Sequence, residues 1–219
     1  MDPRDRVNIL AQEALKEGDP IGWFDRLYTE ATAGEAIVPW DRGEPHPLLV
    51  TWAQATKPAS AGKSALVVGC GLGNDAEFVS ALGFATTAFD VSQTAIDSAR
   101  ERYPESTVDY RVADLLHPPA DWHHAFDLVV EIFTVQALPR ELRPALTASV
   151  SQFVAAGGGR LVVIAGRQDE GESLEEGPPW RMTHADIEAF AANGLDTVSI
   201  TPVERRPEVI DWVAEFIRR

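Results

Sequence analysis

Cysteine is nearly absent: Cys70 is the only one in 219 residues. An internal disulfide is therefore excluded, and a reducing, cytoplasmic setting is expected. Positive charge is scarce. Nineteen Lys and Arg stand against 34 Asp and Glu, a formal net charge of -15. A field of that sign repels phosphate backbones, so no nucleic-acid partner is expected. The dense cationic points, Arg205-Arg206 and Arg218-Arg219, read as a solvated turn and a frayed tail. No apolar run approaches the roughly 20 residues of a membrane helix, and no membrane partner is expected. Met1 to Arg6 is charged and lacks the apolar segment of a signal peptide. His123 and His124 are adjacent, so their side chains do not share one site; without Cys or regular His spacing, no metal is expected. Repeats and low-complexity tracts are also missing.

What is present is organised around residues 65–90. Leu66, Val67 and Val68 form a short apolar run, the mark of a strand covered on both faces. Gly69, Gly71 and Gly73 follow at alternate positions, where they allow a sharp turn and close approach of a ligand. A helix then starts near Gly73 with its free N–H groups facing the turn. Asp90 ends the next strand, at the place of an acid that binds ribose hydroxyls in nucleotide-binding α/β units. Asn74 stands where a dinucleotide fingerprint has its last glycine. From these residues the reading is a nucleotide-like cofactor. The alternatives are an NAD-dependent oxidoreductase and a non-catalytic cofactor-binding module.

Other elements follow in order. Asp2-Pro3 and Asp19-Pro20 each open an amphipathic helix, the second carrying Trp23, Phe24, Leu27 and Tyr28. A proline-stiffened loop, Val38 to Leu48, enters a helix at Pro47. Ser92 caps a helix, and Val108 to Val112 forms a strand ending in Ala113-Asp114-Leu115. A fourth strand, Phe126 to Glu131, has Glu131, Ile132 and Phe133 at its carboxyl end. Pro139 to Ala156 reads as a helix, Leu161 to Ala165 as a fifth strand, and Thr183 with Asp186 as a capping box. Leu195 to Val203 alternates like a strand, whereas Val209 to Ile217 fits helix or strand. This alternation predicts a doubly wound α/β sheet with its site at the carboxyl ends of the strands.

The glycine turn resembles the first motif of class I S-adenosylmethionine-dependent methyltransferases. Together with Pro39-Trp40-Asp41-x-Gly43-x-Pro45-x-Pro47, the Phe126-Asp-Leu strand start and Gly177-Pro-Pro-Trp180, it is similar to their thiopurine, thiol and halide methyltransferase-like branch. Ile132 departs from the thiopurine enzymes, which carry an arginine there.

The resemblance implies a mostly parallel seven-stranded sheet with one antiparallel strand near the edge. Residues 1–60 would form a helical lid and residues 61–219 the S-adenosylmethionine-binding part of the same domain. It implies methyl transfer to a small-molecule thiol, hydroxyl or heteroaromatic acceptor, with S-adenosylhomocysteine as product. Trp40, Gly69, Cys70, Gly71, Asn74, Asp75, Asp90, Val91, Ala113, Asp114, Leu115, Glu131 and Ile132 would surround the cofactor. Trp23, Tyr28, Phe133 and Trp180 would face the acceptor, with Glu131 as the candidate general base.

Overall fold

The computed structural model describes residues 3–169, 171–172 and 177–219. Most of the acidic half of the Asp169–Pro179 loop, and the expected cap Asp2, lie outside the described residues.

Seven strands form one sheet in the order β3-β2-β1-β4-β5-β7-β6. β1 (Ser64–Val68), β2 (Ala85–Asp90), β3 (Asp109–Val112), β4 (Leu128–Ile132) and β5 (Gly159–Gly166) run parallel. β7 (Val209–Arg218) is antiparallel to both β5 and β6 (Asp196–Arg206). Strand order reverses beside β1, and the carboxyl ends of β1 and β4 flank that switch point. Ligands bind outside the strand ends at such a point.

The central strands are covered on both faces, and β1 shows why its run is continuously apolar. Leu66 and Val68 join Phe89, Trp122, Val129, Val163 and Phe153 in one core layer. Ala65 and Val67 join Ala88, Val130, Ile164 and Trp52 in the other. Successive strand side chains point to opposite faces, so both layers draw on β1, β2, β4 and β5. On the second face lie α3 (Pro47–Thr56), α4 (Asn74–Ala81) and α5 (Gln93–Arg102); on the first lie α6 (Arg143–Phe153) and α7 (His184–Glu188). The caps form as expected: Ser92 accepts from Ala95 N, and Thr183 with Asp186 makes a reciprocal capping box.

Two expectations need correction. Helix α6 starts at Arg143, because residues 140–142 form a 3-10 turn ahead of Pro144. The carboxyl-terminal arginine is not frayed: Arg218 is buried in β7 and donates to the carbonyls of Val154, Ser151, Asn193 and Gly194.

The amino-terminal helices α1 (Pro3–Lys16) and α2 (Gly22–Thr32) pack on each other through Val7, Leu10, Ala14, Trp23 and Leu27, a small core of their own. Asp25 of α2 ties them to the sheet, accepting from Ser92 Oγ at 2.6 Å and Thr94 N at 3.0 Å at the start of α5. Burial pushes the Asp25 carboxyl up, but these bonds outweigh it and leave it below its ordinary value. Among the described residues no helix is long and apolar enough to cross a membrane.

Candidate active site

A cleft of about 1010 Å3 opens at the carboxyl ends of β1, β2, β4 and β5. Its floor is the glycine turn. Gly69, Gly71 and Gly73 have φ of 59°, 51° and 91°, a region other residues rarely adopt. Space also demands glycine: a Cβ at Gly69 would lie 2.4 Å from Thr134 Oγ1, and one at Gly73 2.4 Å from Tyr110 OH. Cys70 N donates to Phe89 O at 2.8 Å, locking the turn to β2.

Asp90 is buried at the end of β2 and lines the cleft. Its carboxylate accepts from Gly71 N at 2.9 Å and Ser92 N at 3.0 Å. Burial raises its pKa, and the N–H groups of Ser92, Gly71 and Val91 act against that rise. Asp75, in the first turn of α4, accepts from His46 N at 2.6 Å and is also raised by burial.

Aromatic rings form the roof. Trp23 stacks on Phe24 at 3.8 Å between centroids, and both meet Trp40 edge-on at 6.1 and 6.4 Å. The Trp40 indole N–H donates to Tyr28 OH at 2.9 Å, above Gly71. Trp40 is 38% exposed, so it covers the cleft rather than filling the core. Asp41 fastens its loop, pairing with Arg102 at 2.9 Å and accepting from the Asn74 amide at 3.0 Å. The structure thus gives Asn74 a loop-holding job that the residue pattern did not reveal.

Val91, Ala113, Asp114, Leu115, Ile132 and Phe133 complete the wall. Asp114 caps its own turn, accepting from Leu116 N at 2.8 Å. Phe133 has φ 60°, a strained value for an aromatic residue. Arg205 lies 5.6 Å over its ring and His46 meets its edge at 5.2 Å. His46 Nδ1 accepts from Leu48 N at 3.3 Å as the cap of α3, and burial lowers its pKa to about 3.

Two expected site residues do not reach the cleft wall. Glu131 is fully buried, its Oε1 accepting from Thr134 N at 2.8 Å and Val135 N at 2.9 Å. Burial pushes its carboxyl up to about 7. Trp180 turns back on Gly177, and the neighbouring Pro178, Pro179 and Arg181 line the cleft instead. Conversely, Arg42, Arg205 and Arg206 line the cleft, so the expected solvated turn is part of the wall. Among the described residues no group of three or more His, Cys, Asp or Glu is arranged to hold a metal ion.

Residues 65–158 match the methyltransferase domain family. The chain is 26% identical over 203 residues to thiocyanate methyltransferase 1 of Brassica oleracea, covering 90% of this chain and 82% of that protein. The protein is an S-adenosylmethionine-dependent methyltransferase. Solved structures share the fold. The structure titled for conversion of a disulfide bond into a thioacetal group in echinomycin biosynthesis has a TM-score of 0.70 and 24% identity, over 89% of this chain and 93% of that one. Magnesium protoporphyrin IX methyltransferase of Synechocystis, with S-adenosylhomocysteine bound, has a TM-score of 0.63 and 18% identity, over 78% of this chain and 81% of that one.

The donor set of the methyltransferase cleft fits this cofactor. The first turn of α4 presents Asp75 to the cleft, a carboxylate that would repel a pyrophosphate but suit an ammonium. The aromatic roof suits a sulfonium, because ring faces attract cations.

Proposed function

We propose that this methyltransferase acts on a small-molecule acceptor through a sulfur or similarly soft nucleophilic atom, as in the thiol and halide methyltransferase-like branch. The observation that carries the reading is the pairing of an acid-lined cofactor floor with an aromatic roof built from residues 1–60. The Brassica relative supports it, since it is named a thiocyanate methyltransferase and matches 90% of this chain.

The cofactor, when bound, supplies an activated methyl carbon for in-line displacement. The chain's part is to bind, orient and exclude water. Asp90 would hold the ribose hydroxyls, and Asp75 the ammonium. Ala113, Asp114 and Leu115 would flank the adenine, with Gly69 to Gly71 under the methionine portion. Trp40 and Phe133 would bracket the sulfonium, with Trp23 and Tyr28 above the acceptor. Residues 1–60 would serve as the lid.

The state of the titratable groups favours an acceptor that needs no base. Glu131, whose carboxyl sits near neutrality, is walled off behind its own turn. His46 is held neutral and is too weak a base at a pKa of about 3. A thiol ionises sufficiently by itself near neutral pH, unlike a phenol.

Methyl transfer from labelled S-adenosylmethionine to a panel of thiols, phenols, amines and heterocycles tests this. S-methylation above the other classes is expected. Transfer confined to phenols or amines would overturn it.

A further inference from the structure

The acceptor end of the cleft gathers three arginines, a cluster that a chain with 19 Lys and Arg against 34 Asp and Glu does not lead one to expect. Arg42 comes from the proline-rich loop, and Arg205 and Arg206 come from the end of β6. Consecutive residues of a regular strand face opposite sides. Here the β6–β7 pairing shifts register between Glu204 and Arg206, and both arginines line the same cleft. Bulges re-aim side chains in this way and are common beside active sites.

The three guanidiniums are not equivalent. Arg205 pairs with Asp211 and lies over the Phe133 ring. Among the described residues, the guanidiniums of Arg42 and Arg206, both exposed residues, have no hydrogen-bond or ion-pair partner. All three lie within electrostatic reach of the buried Asp211, which lines the same cleft. A second, independent observation comes from His46, which lines the same cleft and is 3% exposed. Its Nδ1 already accepts from Leu48 N, so Nε2 carries the proton, and that buried N–H has no acceptor. A buried donor without a partner is costly and calls for a ligand.

We propose that Arg42, Arg205, Arg206 and the His46 Nε2–H form a subsite for a carboxylate carried by the methyl acceptor, remote from its reacting atom. This rests on the small-molecule acceptor reading above and narrows it. A guanidinium fork suits a carboxylate, and Phe133 seats the apolar stem between that group and the sulfonium position. Asp211 offsets Arg205, and the exposed Glu44 and Glu208 also line the cleft. The three arginines are thus matched by three carboxylates, and without a net positive surplus the site suits a monoanion met by directed donors rather than a phosphate dianion.

The test compares 3-mercaptopropionate with 3-mercaptopropionamide, which differ in charge only at the end far from sulfur. Methyl transfer to each is read as kcat/KM. Binding of propionate and propionamide is read by calorimetry, on the free protein and on its S-adenosylhomocysteine complex. The acid should be preferred by about tenfold or more in both readouts, the range for a charge-assisted contact. Arg42→Gln and Arg206→Gln should each shrink that ratio severalfold. The ratio is internal to each variant, so a partial loss of fold lowers both arms and leaves it intact. Equal use of acid and amide, an unchanged ratio in both variants, or stronger competition by inorganic phosphate than by propionate would overturn the subsite. Absent methyl transfer with propionate still preferred would strike the acceptor reading and leave the subsite standing.

Discussion

Replacing Glu131 with Gln should make the protein's stability less sensitive to pH, by an amount the structure sets. The carboxyl is fully buried at the end of β4, and one oxygen accepts two backbone N–H groups while Oε2 has no partner. Burial raises its pKa from 4.5 to about 7. Because the folded value lies above the unfolded one, the stabilising contribution of the protonated form is complete below pH about 4.5. It is lost as pH rises through about 7, and is constant beyond that. The span from 4.5 to about 7, at 1.36 kcal/mol per unit, amounts to about 3 kcal/mol. Glutamine keeps the accepting oxygen and does not ionise. Its amide adds a buried donor, which costs about 1–3 kcal/mol at every pH. The variant should therefore gain on the wild type by about 3 kcal/mol between pH 4.5 and 8.5. Urea unfolding of both proteins across that range measures this, and taking the difference cancels other titrating groups. A pH-independent difference, or a wild type that gains on the variant as pH rises, would refute the reasoning.

Further outcomes follow from the same geometry. Trp40→Ala should weaken S-adenosylhomocysteine binding more than it lowers unliganded stability, because the ring is 38% exposed; an equal thermal loss without ligand would make it a core residue. Gly69→Ala should cost about 1–3 kcal/mol through its positive φ, with more added by the clash with Thr134, and Gly69→Ala/Thr134→Ala should recover only the clash, as chemical denaturation would show. Arg102→Ala releases the Asp41 loop and should raise the cofactor dissociation constant severalfold while changing stability by about 1 kcal/mol or less, since exposed ion pairs contribute little; calorimetry beside a thermal melt separates the two effects.

The sheet was legible wherever one strand carries its own signal. The run at Leu66–Val68, the glycines after it and Asp90 lie where their pattern places them, since each reflects local backbone or burial demands. The tail from Val209 was ambiguous because β7 is buried on parts of both faces, which blurs the period of two. Helix α6 was overextended because a 3-10 turn presents the same apolar spacing over one turn. In the cleft, wall residues adjacent to the glycine turn followed from chain order. Glu131 did not, because its carboxylate is taken up by the Thr134 and Val135 N–H groups of the turn after Phe133, whose positive φ the residue type does not encode. Arg205 and Arg206 read as solvated because a register shift in a remote hairpin brings them round. His46 carried no signal in the sequence, because what marks it is a capping bond that leaves Nε2–H with nothing to donate to.

The cofactor floor is tested most directly by titrating S-adenosylhomocysteine, with NAD in parallel, into the wild type and Asp90→Ala. The account predicts that the wild type binds S-adenosylhomocysteine and not NAD, and that Asp90→Ala weakens binding by about 1–3 kcal/mol, the loss of hydrogen bonds to a charged group. Binding of NAD alone, or an unchanged affinity in a folded Asp90→Ala protein, would contradict it.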